Sequence, residues 1–248
     1  MKRLRSVITF LIIFCAALAF AFALFTVFFD QAVIVRKGTL YRAPCAEKLV
    51  ALTFDDGPSA EWTPQVLEAL RESGARATFF MLGKHVEEFP EVARRVVAEG
   101  HEIGNHSYKH DVLLYYTMDE LEEEIRLAEQ AIWEATGCRT KYFRPPKAWM
   151  TPKEKNKVRE LGYQIVLWSL NSKDWVAFSS RQMLNYILRN VRPGDIILFH
   201  DSGGVFSTEG SDRSRTAEVI PPLAQGLRER GYRLVTISEL LGVEDERE

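Results

Sequence analysis

The stretch LTFDDGP, Leu52–Pro58, sets the terms for the whole chain. From Leu49 to Phe54 the residues are apolar or β-branched, the composition of a buried strand. The strand ends in two adjacent aspartates, Asp55 and Asp56, and the chain then turns at Gly57-Pro58. Neighbouring carboxylates repel, and neither favours a strand. A strand that keeps such a pair at its end needs positive charge there.

The same design recurs along the sequence. Short apolar, β-branched or aromatic segments lie at Ala77–Leu82, His101–Gly104, Tyr142–Arg144, Tyr163–Leu170, Asp195–Phe199 and Tyr232–Ile237. Helical patterns separate most of them. The clearest runs from Thr117 to about Thr136. Thr117 and Glu120 form a capping box, Leu121, Ile125, Ala128 and Ile132 share one face, and Gly137 stops it. A second is expected to start at Ser179 with Gln182 in the same way, turning Leu184, Ile187, Leu188 and Val191 inward.

Seven strands alternating with helices predict an α/β fold with a parallel sheet. The unusual polar residues choose between an open sheet and a βα barrel. Asp55 and Asp56, His106 and His110, Arg144, Asp174 and His200 all fall at or just after the carboxyl end of an expected strand. In βα barrels that face carries the chemistry, so a closed or nearly closed barrel is expected.

Charge and length bound the rest. The 248 residues are 46% hydrophobic and 27% charged, with a formal net charge of −2, which suits one packed body. Lys2, Arg3 and Arg5 precede the body, so the body is more acidic than the net value, and nucleic acid is not the expected partner. Val7–Phe29 is a run of 23 residues without charge, and a spanning helix needs about 20. With basic residues ahead of it, residues 7–29 are expected to anchor the chain once in the cytoplasmic membrane, with residues 1–6 inside and the body outside. Ala19-Phe20-Ala21 and Ala21-Phe22-Ala23 resemble signal-peptide cleavage sites. The run continues past both, beyond the roughly 7–15 residues of a signal sequence, which favours an uncleaved anchor. Residues 30–46 read as a connector and 47–248 as the body. Cys15 lies in the anchor, while Cys45 and Cys138 are expected to stay unpaired. No Cys-x-x-Cys appears, so a thiolate zinc site is not expected.

In HSYKH, His106–His110, two histidines four apart can face one metal if the segment is helical or tightly turned. The overlapping HEIGNH does not make a zinc-protease helix, because Asn105 stands where the second histidine belongs and Gly104 disfavours a helix. Beside Asp55-Asp56 the histidine pair gains meaning. One aspartate and two histidines make a facial triad with open positions, and the other aspartate stays free to take a proton.

TFDDGP, HSYKH, FRPP, NSKDW and ILFHD, in this order and spacing, resemble the five motifs of the polysaccharide deacetylases of carbohydrate esterase family four, the NodB-homology domain. The resemblance covers roughly Lys48 to Leu241. It implies a distorted (β/α)7 barrel and metal-dependent removal of acetyl groups from N-acetylated sugars. It also implies that Asp56, His106 and His110 hold a divalent metal, usually zinc, with cobalt or another divalent ion possible. Asp55 is then the general base, paired with Arg144. His200 is the general acid, and Asp174 lies behind Arg144 and His200. Trp175 and Leu198 line the acetyl-methyl pocket, and Pro145, Pro146 and Lys147 face substrate. The expected substrate is a polysaccharide, peptidoglycan first and chitin-type oligomers next. A catalytically silent wall-binding module and an amidase for another N-acyl group are the rival readings.

The resemblance has departures. Lys147-Ala148 replaces the aromatic-Gly that usually follows the prolines, which removes a stacking wall that Trp149 could supply. Lys147 resembles the branch acting on N-acetylmuramic acid, or is a solvated rim lysine. Asn171 stands where Asp is common. Ser202–Arg215 is long and polar, which suggests a loop over the groove where Phe206 touches sugar, or a plain surface loop.

Overall fold

The structure is a computed structural model that describes residues 2–25, 32, 35–203 and 211–242. Helix α1 covers Lys2–Phe25. Its described side chains from Ile8 to Leu18 face outward and join none of the apolar clusters. Among the described residues no helix is long and apolar enough to cross a membrane. The end of the charge-free run, Thr26–Phe29, and Phe206 of the expected groove loop lie outside the described residues.

The body is one curled, parallel sheet. Its strands are β1 (Leu49–Asp55), β2 (Thr78–Met81), β3 (Glu102–Asn105), β4 (Tyr142–Phe143), β5 (Gln164–Ile165), β6 (Leu170–Asn171), β7 (Ile196–His200) and β8 (Arg233–Val235). The order is β5-β4-β3-β2-β1-β7-β6. β1 lies at the centre. One of its edges pairs with β7 from Ala51 to Asp55. The other is shared, with β8 along Leu49–Ala51 and β2 along Thr53–Asp55. β1 is buried along its length apart from half-buried Leu49, as a parallel strand covered on both faces should be.

Alternation along the strands sorts residues between two apolar layers. Val50, Leu52 and Phe54 join Phe79, Met81, Ile197 and Phe199 in the outer layer. Helices α2 (Trp62–Glu72), α7 (Ser180–Asn190) and α8 (Ser214–Glu229) cover that layer with Leu67, Leu70, Ile187, Ile220 and Leu223. Ala51, Phe80, Ile196 and Leu198 face the interior with Trp168 and Val235. Thr53, Asp55 and His200 fall on the inward parity by the same count. Asp55 is also in direct register with both Phe80 and His200.

The remaining helices are α3 (Gly83–Glu88), α4 (Pro90–Ala98), α5 (Met118–Thr136), α6 (Pro152–Glu160) and α9 (Ile237–Leu240). α5 has the expected capping box at Thr117 and Glu120, and Gly137 ends it at φ 70°. Leu121, Ile125, Ala128 and Ile132 are its buried face. At α7, Ser179 accepts from Gln182 N–H, but the Gln182 side chain accepts from Phe178 N–H, so the cap is not reciprocal.

The sheet differs from expectation at Tyr163–Leu170, which forms two short strands rather than one. β5 pairs with β4 at one end of the sheet, and β6 pairs with β7 at the other. Val166–Ser169 carries the chain across the gap between them, so an apolar run that reads as one strand serves both ends of the curl. The Leu40–Ala43 segment also sits there. Leu40 bridges Val166, and Ala43 N–H donates to Gly194 C=O at 2.9 Å. Cys15, Cys45 and Cys138 are all free.

Phe54 ties the outer layer together, stacked on Phe79 at 5.0 Å and on Phe199 at 5.5 Å between ring centroids. Phe54→Ala is expected to lower stability by about 3–5 kcal/mol, read from the urea midpoint, because the cavity lies in the middle of three strands.

Candidate metal centre and active site

Asp55 ends β1 on the inward face, and its Oδ1 accepts from Arg144 Nη1 at 2.6 Å. Arg144 follows β4 and is 0% exposed. Its guanidinium also donates to Thr53 Oγ1 at 2.9 Å and to the carbonyls of Val166 and Leu167 at 3.2 and 3.3 Å. Its guanidinium carbon lies 4.0 Å from the Phe80 ring centroid. These contacts supply the charge that the first aspartate requires.

Asp56 leaves the strand in the left-handed region, at φ 75°, and so points away from Asp55's partner. Its backbone carbonyl accepts from His85 Nδ1 at 2.7 Å. Its Oδ1 is buried without a hydrogen-bond donor. That oxygen faces His106 Nε2 at 3.3 Å and His110 Nε2 at 3.2 Å. His106 Nδ1 donates to Arg144 C=O at 2.7 Å, since a carbonyl can only accept, which fixes the ring with Nε2 toward Asp56. Burial holds His110 near pKa 4 against the pull of Asp56, so its imidazole is neutral at pH 7. Burial pushes Asp56 up, but His110 and His106 outweigh it and hold the carboxyl well below the usual range. The Asp56 oxygen therefore converges with Nε2 of His106 and Nε2 of His110, one carboxylate and two imidazoles, a donor set that suits a cation. Among the described residues, Asp56, His106 and His110 form a cluster able to hold a metal ion.

The HSYKH segment is tightly turned, not helical. Ser107 and His110 have φ of 71° and 67°. Glu124 of α5 accepts from Tyr108 N–H at 3.1 Å and Lys109 N–H at 3.0 Å, and Asn105 Oδ1 accepts from Ser107 N–H at 2.9 Å. Left-handed non-glycine residues gather in these loops, including Asp56, Ser107, His110, Lys147, Ala148 and Lys173. Such backbone persists where the surroundings impose it, as at functional sites.

His200 ends β7 opposite Asp55, with 18% of its side chain exposed. Its Nδ1 donates to Asp174 Oδ1 at 3.0 Å, and its N–H donates to Asp174 Oδ2 at 2.6 Å. Burial opposes the charge on this imidazole, but Asp174 outweighs burial and raises it to about 9. Asp174 lies behind His200, and no hydrogen bond joins it to Arg144 among the described residues. Asp174 instead accepts from Thr216, and Arg144 spends its donors on Asp55, Thr53 and the crossing strand. Asn171 Oδ1 accepts from Lys173 N–H at 2.8 Å, which shapes the loop before Asp174.

Leu198, Pro145 and Pro146 are buried, Trp175 is half-buried, and Lys147 and Trp149 are exposed at the same end of the sheet. Tyr115 and Phe178, which also follow the motif residues, are exposed aromatics. A cavity of about 410 Å3 opens beside the Asp56 turn, lined by Ser59, Trp62, His85, Phe89 and Gly203. Reasoning from sequence missed His85, which holds the Asp56 carbonyl. A lone histidine in GKHVEEFP carries no spacing signal.

A family model for polysaccharide deacetylases matches residues 42–166. The chain belongs to the polysaccharide deacetylase family. A peptidoglycan-N-acetylglucosamine deacetylase of Bacillus cereus is 38% identical over 203 residues, covering 81% of this chain and 92% of that one. The crystal structure of the Bc1960 peptidoglycan N-acetylglucosamine deacetylase superposes with a TM-score of 0.79 at 33% identity, covering 85% of this chain and 95% of that one. A pseudoenzyme of carbohydrate esterase family four from Bacillus anthracis, BA3943, superposes with a TM-score of 0.73 at 28% identity, covering 81% and 68%. This polysaccharide deacetylase shares its fold with active and inactive proteins alike, so its own side chains decide the activity.

The His200–Asp174 pair gives a signed prediction. The folded state favours protonated His200, so this contribution to stability is complete below about pH 6.5 and lost as pH rises through about 9. In metal-free protein, NMR titration of His200 should give a midpoint near 9. Asp174→Asn should bring it down toward the ordinary histidine value, and an unchanged midpoint would refute the pairing.

Proposed function

We propose that this chain removes the N-acetyl group from peptidoglycan sugars, N-acetylglucosamine first, as a zinc-dependent deacetylase held on the outer face of the cytoplasmic membrane. One observation carries the reading. Asp55 and His200 stand in register on neighbouring strands, beside the Asp56–His106–His110 cluster. The substrate rests on the relatives, whose names specify peptidoglycan-N-acetylglucosamine.

Asp56, His106 and His110 would hold a divalent cation, which would polarise the acetyl oxygen and make water more acidic. The protein's own groups do the rest. Asp55 takes the proton from the attacking water, and Arg144 pairs with its carboxylate and holds it in place. His200, kept protonated by Asp174, gives a proton to the leaving amine as the carbon–nitrogen bond breaks. Leu198 and Trp175 fit the role of an apolar wall for the acetyl methyl group, and Pro145, Pro146 and Lys147 that of a sugar-facing edge. The presence of Asp55, His200, Arg144 and all three cluster residues argues against a silent wall-binding module. Chitin-type oligomers are the second substrate class.

The membrane placement rests on the charge-free run Val7–Phe29, the basic residues before it and the outward apolar side chains of α1. Cell membranes should retain the chain through a high-salt wash, while a chain starting after Phe29 should be found in the soluble fraction.

Purified body supplied with zinc or cobalt should release acetate from an N-acetylglucosamine oligomer or from peptidoglycan. Chelation should abolish release. Asp55→Asn should cut the rate by about 10²–10⁴-fold while metal still binds. Mass spectrometry of digested peptidoglycan should show glucosamine residues without acetyl. Release that survives the chelator, or wild-type rate in Asp55→Asn, sinks the mechanism.

A further inference from the structure

Asp201 follows His200, is fully buried, and has no part in the chemistry above. Its N–H, C=O and Oδ2 are committed to the turn that carries Asp56, while its Oδ1 is buried without a hydrogen-bond partner. Its N–H donates to Asp55 C=O at 3.2 Å. Its own C=O accepts from Ser59 Oγ at 2.9 Å, and its Oδ2 accepts from Thr63 Oγ1 at 2.6 Å. Thr63 Oγ1 in turn accepts from Ser59 N–H at 2.8 Å, which closes a ring of bonds. The carboxyl group packs directly on Gly57. A Cβ there would lie 2.4 Å from Oδ2 and 2.6 Å from Oδ1, so no other residue fits the turn without displacing Asp201.

The same extension of β7 covers one side of the Asp56 carboxylate. A Cβ on Gly203 would lie 2.6 Å from Asp56 Oδ2. Arg213 fixes this segment by donating to Ser202 C=O at 3.0 Å and Gly203 C=O at 2.7 Å. Oδ2 of Asp56 is thereby walled off, and Oδ1 is the oxygen left facing the histidines. Asp56 sits at φ 75°, in the left-handed region that few residues other than glycine, asparagine and aspartate enter.

We infer that Asp201 is a positioning residue for the metal: locked by Thr63 and seated on Gly57, it holds the turn that aims Asp56 Oδ1 at His106 and His110. The inference rests on the reading of Asp56, His106 and His110 as metal ligands. Asp201 itself touches neither metal nor sugar. It also follows His200 directly, so one strand end sets both the acid and the metal ligand.

The test is zinc and cobalt affinity of the metal-free protein, measured by competition with a chromophoric chelator, with thermal unfolding in parallel. Asp201→Ala should weaken affinity by about 10–100-fold, the range for groups that orient a ligand. Asp201→Asn keeps the oxygen for Thr63 and should recover most of it. Saturating metal should return most of the kcat lost in Asp201→Ala, which a general collapse of the site would not allow. Wild-type affinity in folded Asp201→Ala, or a drop in Tm with unchanged affinity, overturns the inference. Should Asp201→Ala fail to fold, Thr63→Val carries the test. Weaker affinity there supports the inference, and wild-type affinity overturns it. Absence of metal binding in the wild type overturns the ligand reading itself, a separate and recognisable failure.

Discussion

The Arg144–Asp55 pair is the contact on which both the fold and the site depend. A guanidinium without solvent exposure is costly to bury unless every donor finds an acceptor. Here one side of it pairs with Asp55 and Thr53 of the central strand. The other takes the Val166 and Leu167 carbonyls, where the chain crosses between the two ends of the sheet. The crossing segment has no neighbouring strand on that side to take those carbonyls, and Arg144 takes its place. Removing one member of such a pair typically costs about 3–5 kcal/mol, because the other is left buried and uncompensated. The residue that pairs with the base thus also helps to close the curl. A substitution at Arg144 cannot be read as a purely catalytic change.

The two adjacent aspartates avoid their mutual repulsion by parting. Strand alternation directs Asp55 inward to Arg144, and the left-handed turn takes Asp56 out of the strand toward the histidines. Each carboxylate then has its own electrostatic surroundings, a guanidinium for one and a cluster suited to a cation for the other. Across the register from Asp55, Asp174 raises His200 to about 9. A carboxylate to take a proton and a protonated imidazole to give one are what hydrolysis of an amide requires.

Much of this was legible in the sequence, for reasons that particular residues make plain. The parity of Val50, Leu52 and Phe54 against Ala51, Thr53 and Asp55 needs only period-2 counting. The capping box at Thr117 and the stop at Gly137 are local signals that the structure repeats. One aspartate of the Asp55-Asp56 pair could be grouped with His106 and His110 from their chemistry, and the family resemblance implied that it is Asp56. What was not legible depends on tertiary context. Tyr163–Leu170 reads as one strand because hydrophobicity does not record which end of a sheet a residue joins. Thr216 joins His200 in binding Asp174, a contact that no motif announces. His85 and Thr63 act through a backbone carbonyl and a hydroxyl, and neither leaves a motif.

The placement of strain follows from the same arrangement. Asp56, His110 and Lys147 lie in loops that leave the carboxyl ends of strands in the left-handed region. Such loops lack the repeating backbone hydrogen bonds of a helix or strand. These loops are instead held by buried side chains, Glu124 under Tyr108 and Lys109, Asn105 under Ser107, and His85 on Asp56. The outer apolar layer beneath them, centred on Phe54, Phe79 and Phe199, is stiff enough to carry that cost. Rigidity in the sheet and strain in its loops are therefore one design: the close packing of β1, β2 and β7 lets aspartate, rather than glycine, occupy position 56.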